Sequence, residues 1–229
     1  MEQLINTKTV FHIHTRYSND SFLKPSKIID IMVNANIDNV VITDHNSIRG
    51  AEEAKNYAIM KYNNKINVII GEEVKTNIGD IIGFPLHTEI QDVDHFKVVN
   101  EIKKQGGFVC LPHPYKYHNL YKIHDTNFLK TVDFIEIFNS RLNTKLNNFA
   151  EELADSLTDK KKIVGSDAHL KRELLNVFFM YNESMEIDQK TTNFTSKRNY
   201  WLSQSIKGFK KKDAKLIFQG LVLAALNKF

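Results

Sequence analysis

Seven short runs dominated by isoleucine and valine recur along the chain, each followed by a polar or amphipathic stretch. They are TVFHIH, NVVITDH, INVIIGEEV, DIIGFPL, GFVCLPH, DFIEIFN and KKIVGSDAH. Continuous apolar runs this short read as strands covered on both faces. Helical patterns lie between several of them. KPSKIIDIMVNANI opens with Pro25 in its first turn and sets Ile28, Ile29, Met32 and Val33 on one stripe. SIRGAEEAKNYAIMKY and NTKLNNFAEELADSL read the same way, and DHFKVVNEIKKQGG stops at a glycine pair. Alternating strands and helices predict an α/β fold with a largely parallel sheet. One hairpin, VKTNIGDIIG, interrupts the pattern at residues 77–79. Seven strands predict a closed or nearly closed barrel.

Metal-capable side chains gather where these runs end. His12 and His14 sit two apart in the first, on one face of a strand. Asp44 and His45 close the second, and Glu72 and Glu73 sit in the third. His113, Glu136, Asp167 and His169 follow in later runs. In parallel β/α architectures the C-terminal strand ends share one face, where active sites are built. Burying so many acids and imidazoles without a cation would cost several kcal/mol per unpaired charge. Imidazole and carboxylate donors without thiolate suit zinc, manganese or iron. The ligand count exceeds one tetrahedral site and predicts two or three divalent ions bridged by a carboxylate.

The ordered set HIHTRYSND, ITDHN, GEEV, LPHP and GSDAH resembles the motif series of the PHP (polymerase and histidinol phosphatase) domain family of metal-dependent phosphoesterases. The resemblance runs from about residue 9 to 180. It implies a distorted (β/α)7 barrel with a metal cluster at the C-terminal ends of the strands. His12, His14, Glu73 and Asp167 resemble the ligands of one ion. Glu73 would bridge to a second ion, also held by His113, while Asp20, His45 and His169 resemble the ligands of a third. The family pattern favours Glu73 over Glu72, which would face the other side of its strand, and Asp44 reads as a supporting partner. Where many members carry a histidine after the hairpin, this chain has Asp80, an oxygen donor that is a candidate ligand of the second ion or merely a cap of the turn. His87, beyond the strand that follows the hairpin, is a substitute candidate for the missing histidine but reads better as a surface residue, and His95, His118 and His124 receive no role.

The resemblance implies hydrolysis of a phosphate ester by a metal-activated water. Glu73 and Asp167 are the candidate catalytic carboxylates, and Arg16, Lys116 and Arg141, just beyond ligand-bearing strands, are candidate phosphate clamps. The substrate would be a phosphorylated small molecule or a nucleic acid, cleaved as a phosphomonoester or a nucleotide or oligonucleotide phosphodiester. A non-catalytic metal-bound accessory domain serving a partner enzyme is the alternative. The net charge of +4 is mild, but the stretch 197–215 is lysine-rich and reads as a solvated face or a phosphate-seeking patch. Lys210, Lys211 and Lys212 are expected to attract substrate from far outside the ligand motifs. No apolar run reaches the roughly 18 residues of a membrane span. The single Cys110 and the absence of a signal-like N-terminus predict a cytoplasmic protein. A single domain over 1–229 is expected, with 181–229 as a basic segment packed on the barrel.

Overall fold

The computed structural model describes residues 4–116 and 125–227. All seven expected strands form: β1 (Thr9–Ile13), β2 (Asn39–His45), β3 (Asn67–Thr76), β4 (Gly79–Phe84), β5 (Phe108–Leu111), β6 (Phe134–Asn139) and β7 (Lys161–Gly165). Helices α1 (Pro25–Asn34), α2 (Arg49–Tyr62), α3 (His95–Lys104), α4 (Thr126–Thr131) and α5 (Thr144–Ser156) lie between them. Two more strands, β8 (Val177–Tyr181) and β9 (Ile187–Thr192), and two helices, α6 (Lys197–Lys211) and α7 (Ala214–Leu226), complete the chain.

The strands form one sheet in the order β7-β6-β5-β4-β3-β2-β1-β8-β9. Pairs β1–β2, β2–β3, β5–β6 and β6–β7 are parallel, whereas β4 runs antiparallel to both neighbours. Because β4 is reversed, its first residues, not its last, reach the mouth where the parallel strands end. The sheet nearly closes on itself. Past the end of β7, Ser166 N–H donates to the Phe11 carbonyl at 3.0 Å and Ala168 N–H to that of His12 at 3.2 Å. His14 N–H returns a bond to the Ala168 carbonyl at 2.9 Å. Nearer the other end β8 fills the gap, pairing with β1 at Thr9 and donating from the Tyr181 hydroxyl to the Lys162 carbonyl of β7.

One apolar layer joins α1 and α2 to Val10, Ile13, Val40, Ile42 and Val68. Ile28, Ile29 and Met32 of α1 are wholly buried there, each contributing about 1.5–3 kcal/mol. The second layer joins Phe11, Val41, Val74, Phe84 and Phe134 to residues of α3 and α4. α6 and α7 meet through small residues. A Cβ on Gly220 would come within 2.3 Å of Ser205 Oγ, and one on Gly208 within 2.6 Å of the Ile217 nitrogen. Among the described residues, no helix is long and apolar enough to cross a membrane.

The first strand departs from simple alternation. Its register against β2 slips by one between Val10 and Ile13, and His12 takes φ 66° inside the irregularity. Such a bulge re-aims a side chain. Val10 and Ile13 both reach the α1–α2 layer, leaving His12 and His14 to the barrel side. The spacing of two therefore reaches the expected result by a different backbone route. β6 slips in the same way between Glu136 and Phe138.

Candidate metal centre

Each parallel strand delivers its polar residues to the mouth, and Glu73 stands at their centre. His113 Nε2 lies 2.9 Å from Glu73 Oε1, while His12 Nε2, His14 Nε2 and His45 Nδ1 lie 3.4, 3.3 and 3.1 Å from Oε2. Asp167 Oδ1 is 3.7 Å from His12 Nε2 and 3.4 Å from His14 Nε2. At the far end Asp20 presents Oδ1 to His169 Nε2 at 3.1 Å and Oδ2 to His45 Nε2 at 3.4 Å. Donor atoms fall into overlapping groups with all members within 4.8 Å: His12, His14 and Glu73; Glu73, Asp80 and His113; His12, His113 and Asp167; and His14, Asp20, His45 and His169. Two ligands bonded at about 2.0–2.2 Å to one tetrahedral ion stand roughly 3.4 Å apart, and the observed separations match.

The hydrogen-bond network assigns the imidazole tautomers. Asp44 is filled by Thr15 N–H and Oγ1–H at 2.6 Å each and by the Ser18 hydroxyl at 2.7 Å. Having donated to Asp44, Ser18 Oγ accepts from His45 N–H and from His14 Nδ1–H at 3.1 Å. His14 Nε2 thus keeps its lone pair, is fully buried, and has no hydrogen-bond partner. His12 Nδ1–H donates to Glu136 Oε1 at 2.8 Å, and His169 Nδ1–H donates to the Asp167 carbonyl at 2.8 Å. Their Nε2 lone pairs also turn toward carboxylates. Lone pairs facing lone pairs are repulsive unless a cation lies between them, so the donor set fits metal ions.

The electrostatics show a cage that draws positive charge: against burial, Glu136, Asp167 and Glu73 raise His12 well above its ordinary value. Burial pushes Glu73 upward, but His45, His12 and His113 hold its carboxyl well below the usual range. Asp167 and Asp20 are held low for the same reason, against burial, by facing imidazoles. Burial, aided by repulsion from His169 and His45, pulls His14 down to about 3, which keeps it a neutral donor. Burial opposes charge on His45 too, yet Glu73 and Asp20 raise it to about 9. Three of the candidate ligands carry left-handed backbone: His12 at φ 66°, His113 at 29° and Asp167 at 46°. Non-glycine residues in such regions cost roughly 1–3 kcal/mol each and cluster at functional sites.

All nine expected ligands, His12, His14, Asp20, His45, Glu73, Asp80, His113, Asp167 and His169, come together here. Glu72 faces away, accepting from Ile90 N–H. His87 is exposed and His95 lies under α4, while His118 and His124 fall outside the described residues. The cluster opens into a cleft of about 1090 Å³. Lys116 and Arg141 line it. Arg16 does not: its guanidinium pairs with Glu53 at 2.8 Å and stacks on Tyr17, because α2 supplies an acid close to its loop. A second correction concerns Lys210, which is not remote from the motifs but donates to carbonyls of the loop carrying Asp20.

Supporting residues were harder to foresee. Glu136 orients His12 and accepts from His113 N–H at 2.6 Å, and Gly165 makes room for it, since a Cβ there would lie 1.7 Å from Glu136 Oε1. The strand-end position of Glu136 was a signal. Glu173 offered none: it is buried within KRE, accepts from His169 N–H at 2.8 Å, and faces Arg141.

Comparison with known families matches residues 11–203 to the PHP domain. The chain belongs to the PHP domain family. Two uncharacterized proteins of Methanocaldococcus jannaschii resemble it: one is 34% identical over 58% of this chain and 82% of its own length, the other 30% over 77% and 71%. Among solved structures, a two-domain protein of Bacteroides vulgatus containing a predicted PHP-like metal-dependent phosphoesterase superposes with TM-score 0.60 at 18% identity. That match covers 78% of this PHP chain and 60% of the two-domain protein. An amidohydrolase of Chromobacterium violaceum, solved with sulfate and no metal, gives 0.59 at 15% identity over 81% and 91%. Both likenesses concern the fold.

Proposed function

We propose that this PHP protein is a metal-dependent phosphoesterase. The observation that carries the reading is the convergence of five imidazoles and four carboxylates around Glu73, with the buried His14 Nε2 lone pair left without a hydrogen-bond partner. His12, His14, Glu73 and Asp167 would hold one ion, Glu73, His113 and Asp80 a second, and Asp20, His45 and His169 a third. Zinc, manganese or iron suits these donors. Such ions supply a water whose pKa falls from 15.7 to about 7, a nucleophile available at neutral pH. Glu73 and Asp167 are the proposed catalytic carboxylates, fixing the reacting centre at the barrel mouth.

The chain's own cations receive the phosphate. Arg141 is anchored by Ser203 at 3.0 Å and by Glu173, which leaves its buried Nε–H without a protein acceptor. Lys116 faces the same cleft, and although burial opposes its charge, Asp167, Glu73 and Asp80 hold the proton on. Both would bind free phosphate oxygens. Beyond them Tyr115, Leu142, Leu146, Phe149 and Tyr200 form an apolar, largely aromatic wall. A cationic floor beside an aromatic wall favours a phosphate ester of a planar group, such as a nucleotide, over a sugar phosphate. A cytoplasmic setting, the expectation from a single cysteine in the sequence, belongs to the same proposal.

The test is hydrolysis by protein loaded with manganese, zinc or iron. The panel is a chromogenic phosphomonoester, its diester counterpart, mononucleotides and short oligonucleotides. Turnover that vanishes on chelation supports the reading. Two or more bound ions with no turnover on any of these would instead favour an accessory domain.

A further inference from the structure

The loop from residue 15 to 23 brings Asp20 to the mouth; within it Ser18 N–H donates to the Thr15 carbonyl at 3.0 Å, and the Ser18 hydroxyl ties the loop to Asp44. Arg16 N–H donates to the Leu23 carbonyl at 2.7 Å and closes its base. Ser21 Oγ reaches the carbonyls of His14 and His169. Inside the loop three carbonyls converge, and among the described residues no main-chain N–H donates to them. They are those of Arg16, Ser18 and Ser21, and all three receive Lys210 Nζ, at 2.7, 2.6 and 2.6 Å. The ammonium also lies 5.0 Å from the Phe22 ring, which packs edge-on against Phe209 of α6.

Lysine carries three N–H donors, and here every one is used within the protein. None remains for a substrate phosphate. From this geometry, and resting on the metal sites proposed above, we infer that Lys210 is a positioning residue. Its ammonium pins the Asp20 loop so that Asp20 reaches His45 and His169, tying the third ion's site to a helix 190 residues away in sequence. Lys207, one turn earlier, approaches Asp20 Oδ2 at 4.0 Å from the cleft side. α6 is thereby part of the site and not a cover beside it.

The experiment compares full-length wild type, Lys210→Met and, as a control on the outer helix, Lys215→Met. Hydrogen exchange of the 16–22 amides is measured on metal-free protein, and ion affinities are measured by titration with zinc or manganese. Lys210→Met should speed exchange across 16–22 and weaken one ion by about 10–100-fold, the usual effect of losing a group that orients a ligand. The other ions should be unchanged, KM should stay the same at saturating metal, and Lys215→Met should match wild type. Lys210→Cys in a Cys110→Ser background, alkylated with 2-bromoethylamine, restores an ammonium at nearly the same reach and should recover both readouts. It keeps the test decisive if Lys210→Met folds poorly. Unchanged loop exchange in Lys210→Met overturns the inference, as does a raised, salt-dependent KM with intact ion binding. Failure of wild type to bind ions would overturn the proposed function separately, and loop exchange would still decide the role of Lys210.

Discussion

The barrel mouth and the α6–α7 pair invert the usual rule of burial. At the mouth His12, His14, Glu73, Asp167 and His169 are at most 3% exposed, although each is polar or charged. On α7, Phe218 is 71% and Leu226 74% exposed, although both are apolar. The mouth tolerates its charges because each carboxylate faces imidazoles, and its fold is held by a nearly closed, hydrogen-bonded sheet backed by two apolar layers. The helical pair has no such backing and rests on close backbone approach at Gly208 and Gly220. Changes at the mouth should therefore disturb chemistry with little loss of fold, and changes at the seam where α6 packs on α7 should do the reverse.

The largest effect expected is that of His12→Ala combined with His14→Ala. Hydrolysis and at least one bound ion should be lost, while far-UV circular dichroism and a cooperative melt persist. Full turnover with unaltered metal content would break the comparison at its functional end. Gly220→Val tests the other end. Its Cβ branch meets Ser205 and the Trp201 carbonyl, which lies 2.8 Å from an ideal Cβ, and overpacking of this kind costs about 1–3 kcal/mol. A lower melting temperature with ion affinities kept is the expected result, read by calorimetry and metal titration.

Asp80 sharpens the boundary, because it sits on the reversed strand and is only partly buried. Asp80→Ala should weaken one ion by about 10-fold or more, and Asp80→His should shift preference from manganese toward zinc. If Asp80 only caps its turn, alanine will cost about 1 kcal/mol of stability and leave metal content unchanged. The smallest effect belongs to Asp30, far from the mouth. It accepts from Lys61, Tyr57 and Tyr62, and these bonds, Lys61 foremost, hold its carboxyl down to about 2. A depressed carboxylate stabilises the fold above its ordinary range, and that contribution disappears as pH falls from about 4 through about 2. With solvent screening, Asp30→Asn should cost about 0.5–1 kcal/mol at pH 7 and almost nothing at pH 2, measured by urea unfolding.

What could be read in the sequence divides along the same line. The seven barrel strands are Ile- and Val-rich runs, and their metal-capable residues lie at strand ends, so residue type and position within a short window suffice. β9, with sequence IDQKTT, is a half-exposed edge strand whose pairing depends on β8 beside it. α7 is apolar on nearly every side and has no stripe to read, since its buried face is set by glycine and alanine. Lys210 and Glu173 act across the fold on segments distant in sequence, where no local pattern can announce them. Arg16 stays out of the cleft for a similar reason: its partner Glu53 is on α2, 37 residues on.

The left-handed backbone at His12, His113 and Asp167 bears on how this chain can drift under mutation. At each position glycine would relieve strain, together roughly 3–9 kcal/mol, a large share of the ~5–15 kcal/mol that keeps a domain folded. Losing a candidate ligand would release part of that strain, and an idle cage would drift toward glycine or asparagine. A lineage that keeps histidine, histidine and aspartate at these three angles is held there by something other than folding.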